Sequence, residues 1–370
     1  MLSIILGVLA VLYFLRRWSY QNDLKKFTTQ SGAGPVKKIY RLPLGLDAAP
    51  STISDFKNHR FMKVTLSRFE QNGDTLESNF LGRKTIITRD PQNIKAILAT
   101  QFAEFNISDR TQMMAELFGH HGIFTQSPGA GWEQSRALLR PQFSRSQIVN
   151  DLDGLDHHTK ILLSLFPVNT KFDIQPFLYN LTLDTATEFL FGESAGSLES
   201  PEAGENFRGS FSEAFKTAQH YISFKSRLRP LHFMVGLWDH TRACNISRAY
   251  VAKYVDKCLK VDAKTKNAGD KYVFLEALAE QTTDRKVLTD QLLNILLAGR
   301  DTTAGLISHT MWLLARNKQV WHKLREEVLS HVGPQRRPDW ETMKEMKYLK
   351  YVLNECEFVD KTQSKVYHTC

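Results

Sequence analysis

The chain has 370 residues and a net charge of +9, from 48 basic and 39 acidic side chains. At 42% hydrophobic and 24% charged it is composed like a folded protein with a sizeable core, which excludes a disordered or fibrous chain. No run of like charge and no nucleic-acid motif accompanies the basic excess, so it reads as a solvated surface and not as a nucleic-acid site. Four cysteines without CxxC or metal-type spacing exclude a disulfide framework and point to a reducing compartment.

The N-terminal run MLSIILGVLAVLYFL is unbroken by charge, and Arg16, Arg17, Lys25 and Lys26 follow it. A secretory signal carries its positive charge before the apolar run, whereas here the charges come after. The positive-inside rule then predicts a single-pass anchor over residues 1–20 with the bulk of the chain in the cytosol. The run is shorter than the roughly 20 residues that span a bilayer, and an interfacial helix is the alternative. Residues 21–50 are basic and punctuated by Gly and Pro, as a linker would be.

The segment LGRKTIIT predicts a hairpin turning near Gly82, and Asp90-Pro91 predicts a helix start with Asp90 as N-cap. From Trp132 onward the pattern is nearly all helical. GWEQSRALLRPQF is a short helix stopped by Pro141, and IQPFLYNLTLDTATEFLFGE is a second, closed by Gly192. SFSEAFKTAQHYISFKSRL and RACNISRAYVAKYVDKCLKV follow. Apolar and small residues at three- and four-residue steps predict one helix from about Thr289 to Arg316, about 40 Å long. NKQVWHKLREEVLSHVG is a further helix closed by Gly333.

The long helix breaks local rules at LLAGRDTTAG, Leu296–Gly305. Gly inside a helix costs about 1 kcal/mol relative to Ala, and Thr is a weak helix former. Two readings stand side by side. Small residues permit close helix packing; alternatively, Gly299 opens a groove beside an acid and an alcohol, Asp301 and Thr302, that can relay protons. In GWEQSR, Trp132 and Arg136 are four apart and share a helix face, where an indole N–H and a guanidinium can grip one carboxylate. Alone that pair is a weak signal, and an adjacent His120-His121 pair is unsuited to a metal because neighbouring side chains diverge.

Taken together, LLAGRDTTAG and GWEQSRALLRPQF resemble the cytochrome P450 family, the haem-thiolate monooxygenases. GIFTQSPGAGWEQSRALLRPQFSRSQI, LDTATEFLFGES and LARNKQVWHKLREEV resemble its fungal microsomal n-alkane and fatty-acid hydroxylase branch. The resemblance implies a mainly α fold with a small β region and haem b as cofactor. It implies electrons from NADPH through a cytochrome P450 reductase, a long-chain apolar substrate, and an endoplasmic reticulum membrane location. By the same resemblance Trp132 and Arg136 hold a haem propionate, Ala298 and Gly299 leave room beside the haem, and Asp301 and Thr302 deliver protons for oxygen activation. Met113, Met114, Leu117, Phe118, Phe124 and Phe215 line the substrate channel, although each taken singly reads better as a plain core residue. Basic residues including Arg140 and Arg145 suit an acidic flavodomain.

The resemblance stops near Glu355. The family's E-x-x-R has its Glu at Glu355, but Phe358 stands at the Arg position, and the Gly-rich loop bearing the axial cysteine has no counterpart. The expectation is therefore a partial cytochrome P450 domain over 51–355, lacking its C-terminal part, and an unrelated tail over 356–370. The tail's first codons can read TGT-GAG-TTT, which contains an intron donor sequence, as a retained intron would. Such a chain has no axial metal ligand and is expected not to hydroxylate. The alternative role is a haem-free, membrane-anchored pseudoenzyme that binds apolar molecules or a partner.

Overall fold

A computed structural model describes residues 2–32, 34, 36–58, 60–107, 110–143, 152–199, 210–228, 232–233, 235–260, 273–334 and 336–364. The chain divides into two units, residues 1–98 and 99–370.

In the first unit the apolar run forms helix α1 (Leu2–Ser31), which continues well past residue 20. No Gly or Pro interrupts residues 8–31, and Gly32, at φ +65°, follows the last turn. The stretch expected to be linker thus begins as helix. The uncharged part of α1 ends before Arg16, and its 14 residues at about 1.5 Å each reach about 21 Å of a core about 30 Å thick. Among the described residues no helix is long and apolar enough to cross a membrane. Strand β1 (Lys37–Lys38) also falls inside the expected linker and pairs in parallel with β2 (Thr75–Phe80). Helices α2 (Ala48–Lys57) and α3 (Phe61–Asn72) lie between them in sequence. Strand β3 (Arg83–Thr88) returns antiparallel to β2 through Leu81 and Gly82, both at positive φ, the two-residue turn that matches strand twist. Helix α4 (Pro91–Lys95) starts as its sequence requires: the Asp90 carboxylate accepts from the N–H groups of Gln92 and Asn93 at 2.9 Å.

The second unit is helical throughout its described elements: α5 (Arg110–Phe118), α6 (Ala130–Leu139), α7 (Leu152–Leu165), α8 (Gln175–Phe191), α9 (Phe211–Leu228) and α10 (Leu237–Lys260), then α11 (Phe274–Ala279), α12 (Arg285–Arg316), α13 (Lys318–His331), α14 (Trp340–Glu345) and α15 (Lys347–Ser364). The glycine stops fall where expected. Gly192 and Gly333 take positive φ and donate to the carbonyls of Glu188 and Leu329. Helix α12 begins four residues earlier than its periodicity suggested, because Asp284 caps it through the N–H groups of Lys286 and Val287. Its N-terminal half is sunk in the main core, with Leu288, Leu292, Leu293 and Leu296 fully buried against residues of α5, α8, α9, α10 and α11. Its C-terminal half meets a smaller cluster of Leu314, Val352 and Cys356. The segment expected as a separate tail therefore opens inside α15, with Cys356 packed as core.

Asp284→Ala is expected to lower the thermal midpoint at neutral pH by a few degrees. The N–H groups of Val287 and Lys286 hold the Asp284 carboxyl below the usual carboxylate range. The cap's contribution is therefore full above that range and is lost as pH falls through the lowered value, so melting curves of the two proteins should converge in acid.

Candidate active site

Helix α12 is a scaffold for the loop between α5 and α6, and it acts through three buried polar residues on its sunken half, Asp290, Gln291 and Asn294. The Asp290 carboxylate accepts from the His121 N–H at 3.1 Å and lies 3.1 Å from its Nδ1. The Arg248 guanidinium on α10 donates to the same carboxylate at 2.8 Å and to the Leu117 carbonyl at 3.0 Å. Gln291 accepts from the Ile123 N–H at 3.2 Å, and its Nε2 donates to the His121 carbonyl at 2.6 Å and to Ser135 Oγ at 2.7 Å. Asn294 accepts from the Phe124 N–H at 3.0 Å and donates to the Phe118 carbonyl at 3.0 Å. Backbone groups that a buried loop must satisfy are thus met by side chains of one helix.

Two glycines make the approach possible. A Cβ on Gly119 would stand 1.9 Å from the Asp290 carboxylate, and one on Gly122 would stand 1.9 Å from Asn294 Nδ2. Gly119 is also at φ +70°, where side chains are disfavoured. His121, half of the His120-His121 pair unsuited to a metal, is here a partner of a buried acid. None of Asp290, Gln291, Asn294 or Arg248 was singled out from sequence. Three polar residues at i, i+1 and i+4 in an otherwise apolar stretch were the available signal.

At Ala298 one face of α12 emerges from the core. Gly299, Thr302 and Thr303 are exposed, while Ala304 is buried on the other side. The Thr302 hydroxyl donates to the Ala298 carbonyl at 2.6 Å, the back-bonding expected of a mid-helix threonine. Asp301 points elsewhere: the buried Arg300 guanidinium donates to its carboxylate at 3.1 Å and to Gln219 Oε1 at 3.1 Å. Arg300 also lies over the rings of Tyr179 and Phe215. Burial pushes the Asp301 carboxyl above the usual range, and the Arg300 charge opposes it. The acid and the alcohol thus sit on consecutive residues with different partners, the acid biased toward holding its proton.

Trp132 and Arg136 share a face of α6, with the guanidinium over the indole at 5.5 Å from its centroid. The apolar candidates are packed as core. Met114, Leu117, Phe118 and Phe215 belong to the largest buried cluster, Phe124 packs against it, and Met113 is buried outside it. The Phe118 and Phe215 rings meet edge-on at 6.2 Å.

Two observations test the fit of a haem. A Cβ on Gly299 would meet Ala186 Cβ at 3.8 Å, an ordinary contact. Close packing therefore does not demand glycine there, and the exposed Gly299–Thr302 face leaves room for a flat ring. The axial donor is another matter. Cys244 is fully buried among apolar residues of α10, where burial pushes its thiol up to about 12. Cys258 packs against the same core, and Cys356 against Leu314 and Val352. Cys370 lies outside the described residues. The exposed Gly299–Thr302 face has room for a flat ring, whereas Cys244, Cys258 and Cys356 are packed in apolar clusters and offer it no thiolate.

The family model for cytochrome P450 matches residues 52–356. Cytochrome P450 52A12 of Debaryomyces hansenii is 43% identical over 305 residues, covering 78% of this chain and 58% of that protein. Cytochrome P450 52A3-B of Candida maltosa is 41% identical over 327 residues, 84% of this chain and 59% of the relative. Cytochrome P450 52A6 of Candida tropicalis is 41% identical over 357 residues, 91% and 63% respectively. The chain spans about three-fifths of the length of the curated relatives it matches.

Gly119→Ala and Gly122→Ala are each expected to displace a buried polar side chain of α12 and to destabilise the fold by about 3 kcal/mol. Chemical denaturation checks this; a loss under about 0.5 kcal/mol, the ordinary surface value, would show that the loop does not depend on α12. Protease cleavage within 119–126 should accelerate in both variants.

Proposed function

The chain belongs to the cytochrome P450 family, and from that premise we propose that the protein it represents is a haem-dependent monooxygenase of long-chain alkanes or fatty acids. The observation that carries the reading is the exposed face of α12, where Gly299 leaves space beside Thr302, and its sequence neighbour Asp301 is an acid that burial raises above the usual range. Haem, when bound, supplies the redox chemistry that activates dioxygen, fed by electrons from NADPH through a cytochrome P450 reductase. Trp132 and Arg136 would hold a propionate by an indole N–H and a guanidinium. Ala298 and Gly299 would leave the helix surface low beside the ring. Thr302 donates its hydroxyl hydrogen to the Ala298 carbonyl here, and would pass that proton on only after turning its Oγ1 away and taking another in its place. Asp301 holds the next proton, and the Arg300 contact keeps its carboxyl from drifting further toward the neutral form.

The substrate class follows from the branch resembled and from the apolar surround of α5, the 119–126 loop and α9. Met113, Met114, Leu117, Phe118, Phe124 and Phe215, packed as core in this structure, would give an apolar lining to a channel opened there in the complete protein. The partner is an acidic reductase surface, for which the exposed Arg140 on the side of α6 is a suitable contact. Helix α1 seats its apolar end in the endoplasmic reticulum membrane, with Arg16 and Arg17 at the cytosolic headgroups and the globular part in the cytosol.

For the 370-residue chain itself we infer that none of Cys244, Cys258 and Cys356, all packed in apolar clusters, supplies a thiolate to a haem on α12. Reduced, CO-treated chain is expected to show no Soret band at the thiolate-ligated position, and its appearance would overturn this. In the complete protein, Thr302→Ala should lower product formed per NADPH consumed on the order of ten- to a hundredfold with little change in substrate binding. Unchanged coupling would remove Thr302 from the proton path. A haem-free chain that binds a fatty-acid probe stoichiometrically would favour the apolar-ligand role instead.

A further inference from the structure

Away from the exposed face of α12, three metal-ligating donors converge between two helices. Glu116 lies in the last turns of α5, and His240 and Cys244 are one turn apart near the start of α10. His240 Nε2 is 3.0 Å from Glu116 Oε2, and Cys244 Sγ is 3.6 Å from the same nitrogen. All three donor atoms lie within 4.8 Å of one another. In a tetrahedral site with bonds of about 2.0–2.3 Å, ligand atoms stand roughly 3.3–3.7 Å apart. The Glu116–His240 and His240–Cys244 separations are near those dimensions; Cys244 Sγ is also 3.7 Å from His240 Nδ1, so the imidazole must turn for Nε2 and the thiol to share a cation, and the i, i+4 spacing on one helix keeps both within reach.

The surroundings also suit a cation. His240 and Cys244 are fully buried, while the Glu116 side chain is 36% exposed, so the site opens to solvent through its carboxylate. His240 Nε2 faces the open carboxylate of Glu116, its one acidic partner among the described residues. The Thr241 hydroxyl donates to Glu116 Oε1 at 2.5 Å and orients that carboxylate. Lys225 Nζ donates to Glu116 Oε2 at 3.3 Å and must swing aside for a cation to enter, which its long stem allows. Ligation through Cys244 Sγ releases the thiol proton to solvent.

We propose that Glu116, His240 and Cys244 form a three-ligand site for a divalent cation of the zinc class, with its fourth position open to water, which clamps α5 to α10. The donor set selects the metal: one thiolate, one imidazole and one carboxylate favour zinc-like ions over magnesium or calcium, which take oxygen.

Titration of the full 370-residue chain with Co²⁺ tests this. One equivalent is expected to bind with a thiolate-to-cobalt charge-transfer band, Zn²⁺ to displace it, and Zn²⁺ to raise the thermal midpoint. Glu116→Gln, at the solvent edge, should weaken Co²⁺ binding more than about tenfold. Cys244→Ser should abolish the charge-transfer band, and Cys258→Ser should leave both intact. The site is ruled out if wild type shows no thiolate band, or if Glu116→Gln binds as tightly as wild type. Persistence of the band in folded Cys244→Ser would also rule it out. If Cys244→Ser does not fold by circular dichroism, the Glu116→Gln affinity decides.

Discussion

The hydrogen bonds from Asp290, Gln291 and Asn294 to the 117–124 backbone are the constraint on which the second unit rests. A loop packed against a core has no water to satisfy its peptide groups, and no sheet edge is offered to it here. Helix α12 substitutes side chains for that edge. The cost of burying an acid is met by Arg248, which spans from α10 to both the Asp290 carboxylate and the Leu117 carbonyl. One ion pair therefore joins α10, α12 and the end of α5, and the apolar residues of α5 are placed by it.

Further along, α12 changes character. Up to Leu296 it is a core helix; from Gly299 it shows an open face on one side while Arg300 is driven inward on the other. An arginine in that position is unusual, because desolvation disfavours its charge. Two aromatic faces, Gln219 and Asp301 compensate. The result couples the protonation of Asp301 to a buried cation, and the carboxyl is pulled in opposite directions by burial and by its neighbour. An acid so placed holds its proton more readily than a surface carboxylate and still releases it.

Much of this was legible in the residues. The helix stops at Gly192 and Gly333, the cap at Asp90, the hairpin at Gly82 and the shared face of Trp132 and Arg136 follow from local rules, and each is found in place. The start of α12 was set four residues too late because Asp284 lies outside the periodic stretch. The linker at 21–50 was misjudged because the residues up to Ser31 are competent helix formers, and because β1 exists only by pairing with β2. Long-range pairing is not written in a two-residue strand. The polar rungs of α12 were hidden for the same reason: Asp290, Gln291 and Asn294 are ordinary residues until the loop they serve is placed 170 positions away from them. The apolar candidates were identified by type, and whether they line a channel or fill a core depends on what else is packed against them.

The rungs carry a consequence for how this scaffold can vary. Five backbone groups between Phe118 and Phe124 are matched to Asp290, Gln291 and Asn294 on a rigid rod, so a change in the segment's residue count is disfavoured. One residue more or fewer would slide carbonyls and amides off their partners all at once, and Gly119 and Gly122 off the only places where the rod comes close enough to need them. Diversification of what this region holds is then confined to changing side chains on a wall of constant outline, much as teeth on a zip differ in colour but not in pitch.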